Sequence, residues 1–140
     1  MVKVVFDTMV FVRSLINPRS FWGKLIFKYS NSYRLFVSRP VLLELLEVLN
    51  REEISKKFKS IKGLNSNKIL QIISQAETVE ISDIPLISRD IKDDKFLATA
   101  KAADADYLIT EDEDLLVLKV YAGVKIINTA TFLDIIKTKP

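Results

Sequence analysis

The chain has 140 residues, 49% hydrophobic and 28% charged, a size and makeup that fit one globular domain, residues 1–140, around a single sizeable core. It contains no histidine and no cysteine, which excludes Ser-His-Asp and Cys-His nucleophile systems, imidazole or thiolate zinc sites and disulfide scaffolds. The net charge of +3 is unevenly spread: residues 1–75 carry 13 Lys/Arg against 5 Asp/Glu, and residues 76–140 carry 8 against 13.

A basic half beside an acidic half fits a polyanion partner together with a cation site, and a generic Lys/Glu-rich surface accounts for the same counts. Three scattered glycines, Gly23, Gly63 and Gly123, leave no GxGxxG turn and no GxxxxGK phosphate loop. No run of about 18 uncharged apolar residues occurs, and the chain enters a strand-like segment at once. The expectation is a cytoplasmic protein without a membrane span or a signal peptide.

Taken in chain order, Val2 to Phe6, Arg34 to Val37, Thr78 to Ile81, Asp106 to Ile109 and Val124 to Ile127 are short β-branched or aromatic runs bounded by polar residues, and predict five strands. Apolar residues at three- and four-residue spacing predict helices over Ser20 to Tyr29, Pro40 to Asn50, Asn65 to Ala76, Asp93 to Ala103 and Thr129 to Lys137. Ser38, Asn65 or Ser66, Asp93 and Thr129 are the expected caps. The stretch Lys56 to Gly63 is the most linker-like. Alternating strand and helix indicate an α/β fold, a mostly parallel sheet covered on both faces, with ligands bound beyond the carboxyl ends of the strands.

Asp7 directly follows the most apolar strand, where a carboxylate at the sheet edge and a cap for the following turn are both open to it. Glu44 interrupts Val41-Leu42-Leu43-Glu44-Leu45-Leu46, at the border of the apolar stripe, where an acid is costly without a partner. Glu47 fits a surface pair with Arg51 four residues on. Asp93 and Asp94 lead into a helix, an ordinary arrangement for capping. Glu111-Asp112-Glu113-Asp114 places four acids directly after a strand. In a parallel sheet Asp7, Glu44, Asp94 and Asp112 all fall toward one edge, and an all-oxygen site of that kind suits Mg²⁺ or Mn²⁺ and hydrolysis of phosphodiesters.

Four stretches in this order resemble a known family. They are the strand ending in Asp7-Thr8, Val37 to Leu49, Asp93-Asp94-Lys95-Phe96-Leu97-Ala98-Thr99-Ala100, and Ala105 to Leu116. Together they look like a PIN domain, of the prokaryotic branch similar to VapC toxins of toxin-antitoxin pairs. The resemblance implies a three-layer α/β/α domain with a five-stranded sheet of order 3-2-1-4-5 and a Mg²⁺- or Mn²⁺-dependent ribonuclease. It puts Asp7, Glu44, Asp94 and Asp112 on the four acids of the family. Thr110 falls on the supporting hydroxyl, Asp114 on an often acidic outer position, and Asp93 is the register-shifted competitor of Asp94.

Met9 departs from the pattern, since relatives carry a polar residue there, and it is the one feature favouring a non-catalytic RNA-binding or assembly module on the same fold. A haloacid-dehalogenase-type phosphatase fits less well, because Asp7-Thr8-Met9 lacks the second acid of Asp-x-Asp. Implied partners are an RNA substrate, a small antitoxin and a second copy of the chain in a homodimer or higher homo-oligomer. Arg13, Arg39 and Lys56 to Lys62 are candidates for holding phosphates. The cluster Phe21-Trp22-Gly23-Lys24-Leu25-Ile26-Phe27 is open to antitoxin docking or to core packing.

Overall fold

The structure, a computed structural model, describes residues 1–51, 63–81 and 93–138, with the side chains of residues 63–68 outside that description. In chain order the elements are β1 (Val2–Phe6), α1 (Thr8–Ile16), α2 (Phe21–Gly23) running into a π-helical turn (Lys24–Lys28), β2 (Tyr33–Val37), α3 (Arg39–Leu49), α4 (Gly63–Gln75), β3 (Glu77–Thr78), α5 (Asp94–Ala103), β4 (Tyr107–Ile109), α6 (Glu113–Leu116), β5 (Val120–Tyr121), β6 (Val124–Ile127) and α7 (Thr129–Thr138). The strands form one sheet of order β3-β2-β1-β4-β6-β5, parallel except for the β5–β6 pair.

The expected order is thus present, and the expected fifth strand is β6. The count of five is corrected to six by β5, two residues long, joined to β6 through Ala122 (φ 50) and Gly123 (φ 81). Two consecutive left-handed residues make the tight turn that matches strand twist. So short a strand has no periodicity to detect, and Ala122 is not a residue that announces such a turn. The third strand is also earlier than expected, at Glu77–Thr78, anchored to β2 by Arg34, whose Nε and Nη2 donate to the two Glu77 oxygens at 2.8 and 2.6 Å.

Alternation along each strand divides the core into two. Val4, Phe6, Leu35 and Ile109 pack on one face with Phe11 and Leu15 of α1, Leu25 and Ile26 of the π turn, Ile69 of α4 and Phe132 of α7. Val5, Phe36 and Leu108 pack on the other with Phe96, Leu97 and Ala100 of α5 and Leu115 of α6. Helices therefore cover both faces, the three-layer arrangement that strands apolar on both sides require. No helix among the described residues is long and apolar enough to cross a membrane.

Helix α1 departs from expectation, because no helix is predicted over Thr8–Ile16. Its buried residues include Val10, Phe11, Val12, Ser14 and Leu15, so it is apolar nearly all round and rich in β-branched side chains, and neither helical spacing nor propensity marks it. The aromatic stretch resolves mainly to core: Gly23, Leu25 and Ile26 are buried, while Phe21 remains exposed. The segment is a short α-helix and a π turn where one helix is expected.

Capping also differs. Ser38 and Asp93 stand at the N-cap positions of α3 and α5 but make no side-chain cap bond. Thr129 is the first residue of α7, and Asn128 Oδ1 accepts the Thr131 amide in its place at 2.9 Å. Helix α4 starts at Gly63, before Asn65 and Ser66. The stretch Lys56 to Lys62 lies outside the described residues, as do Arg89 to Lys92.

Candidate active site

The register of the parallel strands builds the site. Phe6 pairs with Ile109, and Ile109 with Ile127, so the residues that follow, Asp7 and Thr110, emerge side by side at the carboxyl edge. The Asp7 amide donates to the Ile109 carbonyl at 2.9 Å, and the Thr110 amide to the Ile127 carbonyl at 3.0 Å. Asp7 both ends β1 and caps α1: its Oδ1 accepts the Met9 amide at 3.1 Å and its Oδ2 accepts the Thr110 hydroxyl at 2.8 Å. The two roles open to it in the sequence coexist.

Burial pushes the Asp7 carboxyl above the ordinary aspartate value of 3.8; the Thr110 and Met9 hydrogen bonds oppose that shift, and the charges of Glu44 and Asp112 add to it. A buried carboxylate faced by two further acids is held at an electrostatic cost, and a cation among them relieves it.

Thr110 passes the connection to the acidic loop, since its Oγ1 accepts the Asp112 amide at 3.0 Å. Asp112 then caps α6, its Oδ1 accepting the Asp114 amide at 2.9 Å. One carboxylate oxygen each from Asp93, Asp112 and Asp114 lie within 4.8 Å of one another. Oxygen donors alone, from Asp93 before α5 and from Asp112 and Asp114 at the N-cap and in the first turn of α6, fit a hard divalent cation such as Mg²⁺ or Mn²⁺. This group contains Asp93, directly before α5, where the expected set has Asp94; Asp94 is fully buried in the first turn of that helix.

Glu44 comes from α3 at the border of its buried residues Val41, Leu45 and Val48. Its Oε2 accepts the Thr8 hydroxyl at 2.6 Å and its Oε1 meets Lys95 Nζ at 2.7 Å. The acid in the apolar run therefore has partners within the protein, from the start of α1 and the first turn of α5. Glu47 makes the expected surface pair with Arg51, at 3.9 Å. Met9 presents its backbone amide to Asp7 while its side chain is exposed, so the unusual residue still contributes a hydrogen bond to the site.

Sequence reasoning missed Thr8, Lys95 and Glu111. Glu111 Oε1 accepts both the Trp22 indole N–H at 3.1 Å and the Thr129 amide at 3.2 Å, which ties the acidic loop to α2 and to the start of α7. The Arg13 guanidinium lies over the Trp22 ring at 4.9 Å. Glu111 is one of four adjacent acids, and nothing in their order says which one turns inward.

A family model described as PIN domain matches residues 3–114. The chain belongs to the PIN domain family. It is 31% identical over 122 residues to the uncharacterized protein MJ1680 of Methanocaldococcus jannaschii, covering 84% of this chain and 76% of that one. Among solved structures, this PIN domain is similar in fold to PAE2754 from Pyrobaculum aerophilum, with a TM-score of 0.55, 16% identity, and coverage of 99% of this chain and 91% of the other. It is also similar to VapBC2 from Rickettsia felis bound to a DNA fragment from their promoter, with a TM-score of 0.56, 17% identity, and coverage of 90% and 98%.

Proposed function

We propose that this PIN domain is a Mg²⁺- or Mn²⁺-dependent endoribonuclease, the toxin component of a cytoplasmic toxin-antitoxin pair. The observation that carries the reading is the convergence of Asp93, Asp112 and Asp114 within 4.8 Å, joined through the Thr110 hydroxyl to Asp7. The similarity to a VapC-containing complex supports the antitoxin partner. The basic half of the chain suits an RNA backbone, and association of two copies, as the family resemblance implies, belongs to the same reading.

Asp93, Asp112 and Asp114 would hold the ion, with Asp7 beside them. Of the ligands that the resemblance implies, Asp7, Glu44, Asp94 and Asp112, the geometry favours Asp112 directly and Asp93 over Asp94, and Glu44 is read as the group that orients the attacking water. A divalent ion at such a site polarises the phosphoryl oxygen and lowers the pKa of bound water. Thr110 keeps the Asp7 and Asp112 carboxylates in register, and Met9 N–H fixes the Asp7 rotamer. Arg13 and Arg39, the latter exposed at the first turn of α3, would meet phosphates flanking the scissile bond.

The test is incubation of the purified protein with RNA of mixed sequence. Cleavage is expected with Mg²⁺ or Mn²⁺, none with chelator, and none in Asp7→Asn with its circular dichroism unchanged. Cleavage that survives chelator or that substitution contradicts the assignment.

A further inference from the structure

Glu44 and Lys95 form a pair that the proposed chemistry does not by itself require. Their side chains are 24% and 20% exposed, so the 2.7 Å contact is partly withdrawn from water and is stronger than a surface ion pair. Other bonds hold the Glu44 side chain and the helix that carries Lys95. Glu44 Oε2 accepts the Thr8 hydroxyl, directly after Asp7. The Lys95 carbonyl accepts the Thr99 hydroxyl at 2.7 Å, and Thr99 Oγ1, its proton so used, accepts from the Ser38 hydroxyl at 2.7 Å. Ser38 directly precedes α3, so this buried chain fastens the helix that carries Lys95 to the helix that carries Glu44.

Both Glu44 oxygens are engaged, Oε1 by the Lys95 ammonium and Oε2 by the Thr8 hydroxyl, so a second divalent ion that used Glu44 as a ligand would have to displace one of them. Two cations side by side repel, and a lysine, attached to the chain, cannot diffuse away as an ion can. Resting on the metal-nuclease reading above, we propose that Lys95 is the fixed counter-ion of Glu44, that it confines the site to one divalent ion at the aspartates, and that Glu44 is a positioning residue and not a metal ligand.

The experiment counts ions without RNA, by calorimetric titration and by the electron paramagnetic resonance of unbound Mn²⁺. It compares wild type, Glu44→Gln, Lys95→Arg, Lys95→Met and the double variant Lys95→Met/Glu44→Gln, each checked for a cooperative melt. Wild type and Lys95→Arg are expected to bind one ion per chain, Lys95→Met a second and weaker one, and the double variant one again. Glu44→Gln is expected to keep its Mn²⁺ affinity within about threefold, against the roughly 10- to 100-fold loss typical when a metal's surroundings are disrupted.

Two ions in the wild type, or one in a folded Lys95→Met, overturns the inference and leaves the nuclease reading standing. No ion in the wild type overturns both. Should Lys95→Met not fold, the wild-type count and the Glu44→Gln affinity decide.

Discussion

The Thr110 hydroxyl donates to Asp7 Oδ2 at 2.8 Å across a separation of 103 residues, and Thr110 Oγ1 accepts the Asp112 amide at 3.0 Å. A single buried hydroxyl thus sets the distance between the acid that ends β1 and the acid that follows β4. Thr110→Val keeps the shape but leaves Asp7 Oδ2 and the Asp112 amide without this partner. Metal-dependent cleavage is expected to fall roughly 10- to 100-fold, with about 1–3 kcal/mol lost in stability. Thr110→Ser is expected to restore most of both. Single-turnover cleavage rates and denaturant melts of the two variants check this.

Asp7 carries an electrostatic load that should be visible as a stability–function conflict. Its folded carboxyl titrates above 3.8, so the folded state holds the proton more tightly than the unfolded chain. The contribution of Asp7 to stability is most favourable below pH 3.8 and is lost as pH rises through the raised value. Asp7→Asn has no charge to lose. Its oxygen still accepts the Met9 amide, while its amide group faces Thr110 Oγ1, whose proton then loses residue 7 as its acceptor. In chelator at neutral pH it is expected to melt above the wild type. The gap should close as pH falls toward 4, and Mn²⁺ should raise the wild-type melting temperature more than that of the variant. Equal melting temperatures at neutral pH in chelator would contradict the origin assigned to the shift.

Glu111 joins three elements through one oxygen, and the chain's one tryptophan reports on it. Glu111→Ala removes the acceptor for both the Trp22 indole and the Thr129 amide. A red shift of tryptophan emission and a loss of about 1–3 kcal/mol are expected. Glu111→Gln, which retains a carbonyl oxygen, should lie nearer the wild type in both measurements.

Gly23 is held for space. A Cβ built there would lie 1.9 Å from the Pro18 carbonyl oxygen, and backbone atoms cannot move aside as a flexible side chain does. Gly23→Ala is expected to destabilise the fold by at least about 3 kcal/mol and to disturb the Trp22 environment, as thermal melts followed by fluorescence would show.

Much of this was legible in the sequence because parallel strands buried on both sides are short apolar runs, and because Asp7 directly follows one of them and Asp112 comes three residues after the end of another. Where α5 meets the site was harder to read: adjacent aspartates differ by about 100° around a helix axis, and only the placement of the first turn sends Asp93 toward Asp112 and Asp114 while burying Asp94. Lys95 could not be paired with Glu44 beforehand, since the contact depends on how α3 packs on α5. Helix α1 was hidden by its own burial, which erases the polar face that makes a helix recognisable.

Asp112 belongs both to the hydrogen-bonded line from Asp7 through Thr110 and to the oxygen group with Asp93 and Asp114. The decisive measurement is therefore RNA cleavage against Mn²⁺ concentration by wild type and Asp112→Asn, with fold and melting recorded in parallel. A saturable, Mn²⁺-dependent rate in the wild type that is lost in a folded Asp112→Asn is the predicted result. An unchanged rate and Mn²⁺ dependence in that variant would contradict the claim that these aspartates hold the ion that cuts RNA.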